Sequence, residues 1–382
     1  MLPLDRRGTR RQLRWAVLPP ISRCPPSFSH EKSRELRHSF PRLRQQAKQL
    51  MSIRSEVSLY MSQNPCFFFA ADQNYFPYAC LAARRVLDVS GPIKGFLLQT
   101  GAGAKDLEVA ERLLGSAVSI LDVSRFMEAT DFNPGHLTLA TYIRLFADQL
   151  PEFEPYDRIV YADSDVLFNR SVADLAHTQL HAPLLAAHDE QSYFDAKYRK
   201  HLPMKPGAPK FNAGVLVFNM PLVRREGLLQ RTRQLSSQHT YGLDQGALNV
   251  AFEGRWQTMH PYWNVMTNFS SQISFGKSFA RHFTRGKPWS QRSIGVEPEA
   301  LAIYRQLAKD TPWAGHFARQ PRFALKSFTR KLDAITGFLI NDEKRKRRSR
   351  FDAEQVSRIF ADHADRFMMA AQYPERVAGI AR

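Results

Sequence analysis

The pattern of apolar and polar positions changes character near residue 66. Before it, stretches such as Arg6-Arg7-Gly8-Thr9-Arg10-Arg11 and Pro19-Pro20-Ile21-Ser22-Arg23-Cys24-Pro25-Pro26 mix Arg, Pro and Ser without apolar periodicity. Such a segment buries too little apolar surface to offset the entropy of ordering it. After it, short apolar runs alternate with helical patterns. Residues 66–71 (CFFFAA) read as a buried strand closed by Asp72, and 75–87 place Tyr75, Tyr78, Ala79, Ala82 and Val86 on one helical face. Further strands are expected at 93–99, 117–121, 157–162, 183–188 and 211–219. Helices are expected at 106–114, 136–150, 222–236 and 244–252. This alternation predicts an α/β fold, a mostly parallel sheet with helices on both faces.

In such sheets ligands bind beyond the carboxyl ends of the strands. Asp72, Asp163, Asp165 and Asp189 each follow a predicted strand, so four carboxylates are expected along one edge. Asp163-Ser164-Asp165 is the sharpest local signal. Two carboxylates two residues apart on extended backbone project the same way, and they repel unless a cation lies between them. The pair follows an apolar strand and precedes a second apolar run, Val166-Leu167-Phe168, a setting foreign to a solvated turn.

Charge enters next. The chain has 382 residues with 54 Lys+Arg against 36 Asp+Glu, a net charge of +18. Its distribution is uneven: +9 over residues 1–60, +2 over 61–318, +8 over 319–350 and −1 over 351–382. The middle of the chain is therefore nearly neutral, and the excess says nothing about its chemistry. Residues 1–61 read as a disordered basic leader or as a start placed upstream of Met51 or Met61. Residues 319–350 interleave Phe323, Leu325, Phe328, Leu332 and Phe338 with Lys and Arg, including Lys344-Arg345-Lys346-Arg347-Arg348. That reads as a helix for an anionic membrane surface, with nucleic acid as the rival partner and a solvated face as the plain alternative. Val356, Ile359, Phe360, His363 and Phe367 suggest amphipathic helices over 351–382. Three cysteines, Cys24, Cys66 and Cys80, match no disulfide framework or zinc spacing and suggest a reducing compartment. No run of about 18 apolar residues is present.

Five blocks in order resemble the family-8 retaining glycosyltransferases, which include glycogenin and bacterial lipopolysaccharide galactosyl- and glucosyltransferases. They are Phe69-Ala70-Ala71-Asp72-Gln73-Asn74-Tyr75; Tyr142-Ile143-Arg144-Leu145 with Val160-Tyr161-Ala162-Asp163-Ser164-Asp165-Val166-Leu167; Phe211-Asn212-Ala213-Gly214-Val215-Leu216-Val217-Phe218-Asn219; Leu243-Asp244-Gln245-Gly246-Ala247-Leu248-Asn249; and His282 with Gly286-Lys287-Pro288-Trp289. The resemblance covers about residues 66–290. It implies a GT-A-type nucleotide-sugar domain over 62–290, followed by a helical basic extension over 291–382.

The resemblance also implies roles. Ala70, Asp72, Asn74, Tyr75 and Ser164 fall where the nucleotide binds. Asp163, Asp165 and His282 would hold Mn²⁺ or Mg²⁺, and an imidazole ligand leans toward Mn²⁺. Lys287 would neutralise the departing diphosphate. Arg144, Asp189, Asn212, Asp244 and Gln245 would line the donor-sugar end. As helix and strand residues they have plainer readings too: Asp244 as a helix cap, Asn212 as a strand-edge cap, Arg144 as an ion-pair partner. The sequence departs from the family at Arg285-Gly286-Lys287, where Gly stands next to Lys and the interval from His282 is shortened. Gln245 would face the anomeric carbon, and an amide is a poor nucleophile, which favours front-face attack.

The implied activity is metal-dependent retaining transfer of a hexose, galactose or glucose, from a UDP-sugar to a cell-envelope glycan or lipid-linked acceptor. The implied place is the cytoplasm, on the inner face of the membrane, with no nucleic-acid partner. A catalytically silent sugar-nucleotide or nucleic-acid binding protein is the alternative. Tyr262-Trp263-Asn264 reads as core or acceptor contact.

Overall fold

The computed structural model describes residues 64–318, apart from 133–138, 190–201, 207, 239–242, 268–272, 285 and 291–295. All described residues belong to one compact unit, Ser62–Arg382. The leader, the basic stretch 319–350 and the 351–382 segment lie outside the described residues.

Strands β1 (Pro65–Asp72), β2 (Lys94–Thr100) and β3 (Val118–Asp122) alternate with helices α1 (Phe76–Ser90) and α2 (Ala104–Leu114). A short helix α3 (Ser124–Glu128) and a 3₁₀ helix (Leu139–Phe146) lead to β4 (Arg158–Ala162) and β5 (Val166–Phe168). Helix α4 (Val172–Ala176), β6 (Leu184–His188) and β7 (Phe211–Asn219) follow. Then come α5 (Met220–Glu226), α6 (Leu228–Gln238), α7 (Leu243–Ala251), β8 (Trp256–Thr258), β9 (Val265–Met266) and β10 (Ala280–His282). Helices α8 (Pro298–Ala308) and α9 (Gly315–Ala318) end the described chain.

Seven strands form one sheet in the order β3-β2-β1-β4-β7-β6-β8. Every neighbouring pair is parallel except β4–β7 and β6–β7, so β7 alone among these strands runs against the rest. The α/β fold with a mostly parallel sheet is as the alternation predicted. Strand β1 shows why its sequence is an unbroken apolar run. Phe67, Phe69 and Ala71 face one hydrophobic cluster with α1 and α2, while Cys66, Phe68 and Ala70 face a second with the 3₁₀ helix and α5. A strand buried on both faces loses the polar alternation of a half-exposed one. Helices α8 and α9 contribute Tyr304 and Phe317 to the first cluster, so packing continues past residue 290. The buried Cys66 and Cys80 are free, and burial pushes both thiols up, as befits small apolar side chains.

Two expected helices differ. The helix expected over 222–236 is two helices, because Gly227 adopts a left-handed conformation (φ +62°) and ends α5. The helix expected over 136–150 is a 3₁₀ helix at Leu139–Phe146, and residues 133–138 lie outside the described residues. Thr141, Tyr142 and Ile143 are weak α-formers, and the Arg144 side chain donates from Nε to the Thr141 carbonyl at 3.1 Å.

Three short strands form a second sheet, β5-β10-β9. It is the device that builds the site: β10 lies antiparallel to β5 with His282 opposite Val166, the residue following Asp165.

Candidate active site

The carboxyl edge of the large sheet opens into a cavity of about 510 Å³. Ala70 and Asp72 from β1, Arg144 from the 3₁₀ helix, Asp163, Ser164 and Asp165 after β4, and Gln245 from α7 line it, together with His282 and Lys287. That volume suits a small organic ligand.

Asp163, Asp165 and His282 each present one ligand atom, and these lie within 4.8 Å of one another. His282 Nε2 is 3.5 Å from Asp163 and 3.3 Å from Asp165. Asp165 Oδ1 is buried with no hydrogen-bond partner. A buried oxygen in that state, beside a second carboxylate and an imidazole nitrogen, is a donor set that fits a divalent cation. Lys287 Nζ pairs with Asp165 and donates to the Phe283 carbonyl at 2.7 Å. Burial pushes the Asp165 carboxyl up, but the Lys287 ammonium outweighs it and holds the group well below the usual carboxylate range. Burial would lower Lys287, and Asp165 more than reverses this.

Arg144 is 5% exposed and is held on all sides. It pairs with Asp163 at 3.1 Å and Asp244 at 2.9 Å, donates to the Ala213 carbonyl at 2.5 Å, and lies 4.4 Å from the Tyr161 ring centroid. Burial works against its charge, and the two carboxylates raise it above its ordinary value. Asp244 feels burial more than it feels Arg144, and with Asp163 nearby its carboxyl is pushed up to about 6. Tyr161 adds a hydroxyl that donates to Asp163 at 2.5 Å.

A chain of amides runs behind the imidazole. His282 Nδ1 is 2.9 Å from Asn264 Oδ1, and Asn264 Nδ2 donates to Asn212 Oδ1 at 2.8 Å. Asn212 Nδ2 donates to Gln245 Oε1 at 3.3 Å, and Gln245 Nε2 donates to Asp189 Oδ2 at 2.7 Å. Asn249, one turn after Gln245, clamps the head of β7 by accepting from the Phe211 N–H and donating to its carbonyl.

The other expected residues fall as follows. Asp72 Oδ1 accepts the Asn74 and Tyr75 N–H groups, both at 3.0 Å, so this carboxylate shapes the loop. Tyr75 is 38% exposed at the cavity and meets Trp289 edge-on at 6.2 Å. Ser164 Oγ donates to the Ala70 carbonyl at 3.1 Å. Asn74 is exposed and does not line the cavity. Asn212 and Asp189 are buried and join the wall through Gln245. Arg285 lies outside the described residues.

Three participants escaped sequence reasoning. Asn264 read as core or acceptor contact, yet its side chain faces His282. Its one sequence signal is an amide amid Tyr262, Trp263, Val265 and Met266. Tyr161 read only as a strand residue. Gly214 read only as part of a block, but a Cβ there would stand 2.5 Å from His282 Nδ1 and 2.9 Å from Nε2. The ring packs against backbone that only glycine leaves bare.

A mostly parallel sheet with acidic, imidazole and ammonium groups gathered at its carboxyl edge defines a GT-A-like transferase. The chain belongs to glycosyltransferase family 8, whose model matches residues 66–293, more than half of its length. Among solved structures it is similar to an active-site mutant of LgtC, at 24% identity and a TM-score of 0.55, covering 66% of this chain and 99% of that one. It is also similar to the galactosyltransferase LgtC in complex with donor and acceptor sugar analogues, at 24% identity and a TM-score of 0.53. At that identity the likeness speaks for the fold. Among curated relatives it is 30% identical over 172 residues to the glycosyltransferase GlyB of Streptococcus pneumoniae serotype 4, covering 40% of this chain and 39% of GlyB. It is 24% identical over 216 residues to GlyE of the same organism, covering 52% of this chain and 49% of GlyE. The chain thus spans less than half the length of these relatives. Among the described residues no helix is long and apolar enough to cross a membrane.

Proposed function

We propose that this family-8 glycosyltransferase is a metal-dependent, retaining hexosyltransferase that takes galactose or glucose from UDP. The acceptor is proposed to be a cell-envelope glycan or lipid-linked glycan. The convergence of Asp163, Asp165 and His282 beside Lys287 carries the reading. Three ligand atoms within 4.8 Å and a half-buried ammonium at one cavity wall are what a sugar diphosphate requires of a protein.

Mn²⁺ or Mg²⁺ held by Asp163, Asp165 and His282 would supply Lewis-acid neutralisation of the diphosphate. The chain's own residues do the remainder. Lys287 places its charge where the leaving phosphate gains negative charge. Tyr75 and Ala70 border the nucleotide end, and Asp72 holds their loop. Arg144 locks Asp163 to Asp244 so that the two carboxylates cannot drift apart. Gln245 turns toward the cavity with its Oε1 already accepting from Asn212 and from the Ala213 N–H at 3.0 Å. A carbonyl engaged by two donors is a poor nucleophile. This supports front-face attack, in which the leaving phosphate oxygen takes the acceptor's proton and the new glycosidic bond forms on the face from which UDP departs.

The titration of UDP into the protein with and without Mn²⁺, by calorimetry, tests the reading. Metal-dependent binding is expected, and a panel of UDP-sugars with product anomer determined by NMR should return a retained hexose. UDP binding indifferent to metal overturns it. The location at the inner face of the membrane rests on the charge of residues 319–350. It is tested by binding to anionic phosphatidylglycerol vesicles, expected to vanish on deletion of 319–382.

A further inference from the structure

Asn264 sits on the 3₁₀ turn Pro261–Asn264, is 2% exposed, and belongs to none of the sequence blocks. A side-chain amide has two ends of similar shape, and an imidazole two nitrogens, so neither reveals its polarity by itself. A backbone N–H does, because it can only donate. The Gly214 N–H lies 2.9 Å from one end of Asn212, which must therefore be Oδ1. The Asn264 atom 2.8 Å from that oxygen must be Nδ2, since two carbonyl oxygens do not pair. The opposite end of Asn264 is then Oδ1. It faces His282 Nδ1 at 2.9 Å and can only accept, so Nδ1 carries the proton. Nε2 is the nitrogen that faces Asp163 and Asp165, and in the neutral ring it carries the lone pair.

A second backbone donor reaches the same result from the other side. The Ala213 N–H fixes the near end of Gln245 as Oε1, and Asn212 must then donate to it through Nδ2. Asn212 accepts on one end and donates on the other, as the first deduction required. Two adjacent amides of β7 thus set one direction for the whole chain from Asp189 to His282.

We propose that Asn264 is a positioning residue that fixes His282 in the Nδ1–H tautomer and aims its Nε2 at the metal. The proposal rests on His282 being a metal ligand. A ligating histidine commonly needs its far nitrogen engaged, and loss of such a partner costs about 10–100-fold in metal affinity. Without the Asn264 oxygen, the imidazole gains by moving its proton to Nε2, where two carboxylates accept it. A metal must then displace that proton.

The test uses the full chain labelled with ¹⁵N-histidine, free of metal, with long-range ¹H–¹⁵N correlations reading the tautomer, and Mn²⁺ titration followed by electron paramagnetic resonance. With the pH raised until the ring is neutral, wild type is expected to show Nδ1–H at His282. Asn264→Leu, of similar shape without polar atoms, is expected to shift to Nε2–H and to weaken Mn²⁺ binding by about 10–100-fold. A neutral His282 ring protonated at Nε2 in the wild type overturns the proposal, and this holds even if the variant does not fold. A folded variant that keeps Nδ1–H, or that keeps Mn²⁺ affinity within about twofold, far inside the expected loss, also overturns it. Wild type with Nδ1–H that binds no Mn²⁺ would instead remove the metal reading and leave the tautomer assignment standing.

Discussion

The most demanding consequence of this site concerns a single methyl group. Gly214→Ala would put a Cβ 2.5 Å from His282 Nδ1 and 2.9 Å from Nε2, where ordinary contact begins at 3.4 Å. The imidazole must retreat by roughly 1 Å, whereas a metal site tolerates about 0.2 Å in its ligand distances. The same retreat stretches the 2.9 Å bond to Asn264. Gly214 lies in the bulge where β6 and β7 change register, between the Ala186–Leu216 and Ala187–Asn212 pairs, and its carbonyl accepts from the Asp163 N–H at 2.9 Å. The backbone is therefore tied and cannot yield in place of the ring. Overpacking of this kind costs about 1–3 kcal/mol of stability. Gly95→Ala is the control, because its Cβ would meet Phe67 at 2.7 Å in the core, away from the cavity. Both variants should lose comparable stability in urea. Only Gly214→Ala should weaken Mn²⁺ binding in the presence of UDP, by about tenfold or more as for a lost ligand partner. Gly214→Ala with wild-type Mn²⁺ affinity, or equal weakening in Gly95→Ala, would show that the bare Gly214 backbone does not seat the His282 ring.

The charges around the cavity have consequences of their own. Asp163→Asn and Asp165→Asn are each expected to abolish chelator-sensitive UDP-sugar hydrolysis while leaving a cooperative unfolding transition; hydrolysis that survives both contradicts the metal site. Lys287→Ala should lower kcat by about 10²–10³ with a smaller change in KM, as for a charge that acts on the departing group; steady-state kinetics decide it. Asp244 is pushed up to about 6 from 3.8, so the folded state holds this proton more tightly than the unfolded chain. Its contribution to stability is complete below the unfolded value and lost as pH rises through about 6. Ionisation over that range also completes the grip on Arg144, so kcat/KM should rise with pH and show an acid limb near 6 that Asp244→Asn removes. An unchanged limb in that variant would assign it to another group.

The fold class, and much of the candidate site, can be read from local pattern alone. Unbroken apolar runs at β1 and β4 announced strands buried on both faces, because such strands have no solvent side on which to place polar residues. Asp163 and Asp165 were legible because two carboxylates in an apolar setting are costly without a partner. The helix boundary at Gly227 was legible in principle, since glycine alone takes that conformation without cost. The 3₁₀ course of Leu139–Phe146 was legible only in part, through the weak α-formers Thr141, Tyr142 and Ile143, since it follows also from where Arg144 is held.

Tertiary structure decided what local pattern cannot carry. The reversal of β7 places Asn212, at the strand's start, on the same edge as residues that end parallel strands; strand direction is set by its neighbours, not by its own sequence. The pairing of β10 with β5 brings His282 to Asp165 across more than a hundred residues. Asn264, Tyr161 and Gly214 acquire their roles through contacts with partners distant in sequence. Hydrophobic periodicity records which face of an element is buried. Which polar group it meets there is a property of the assembled chain.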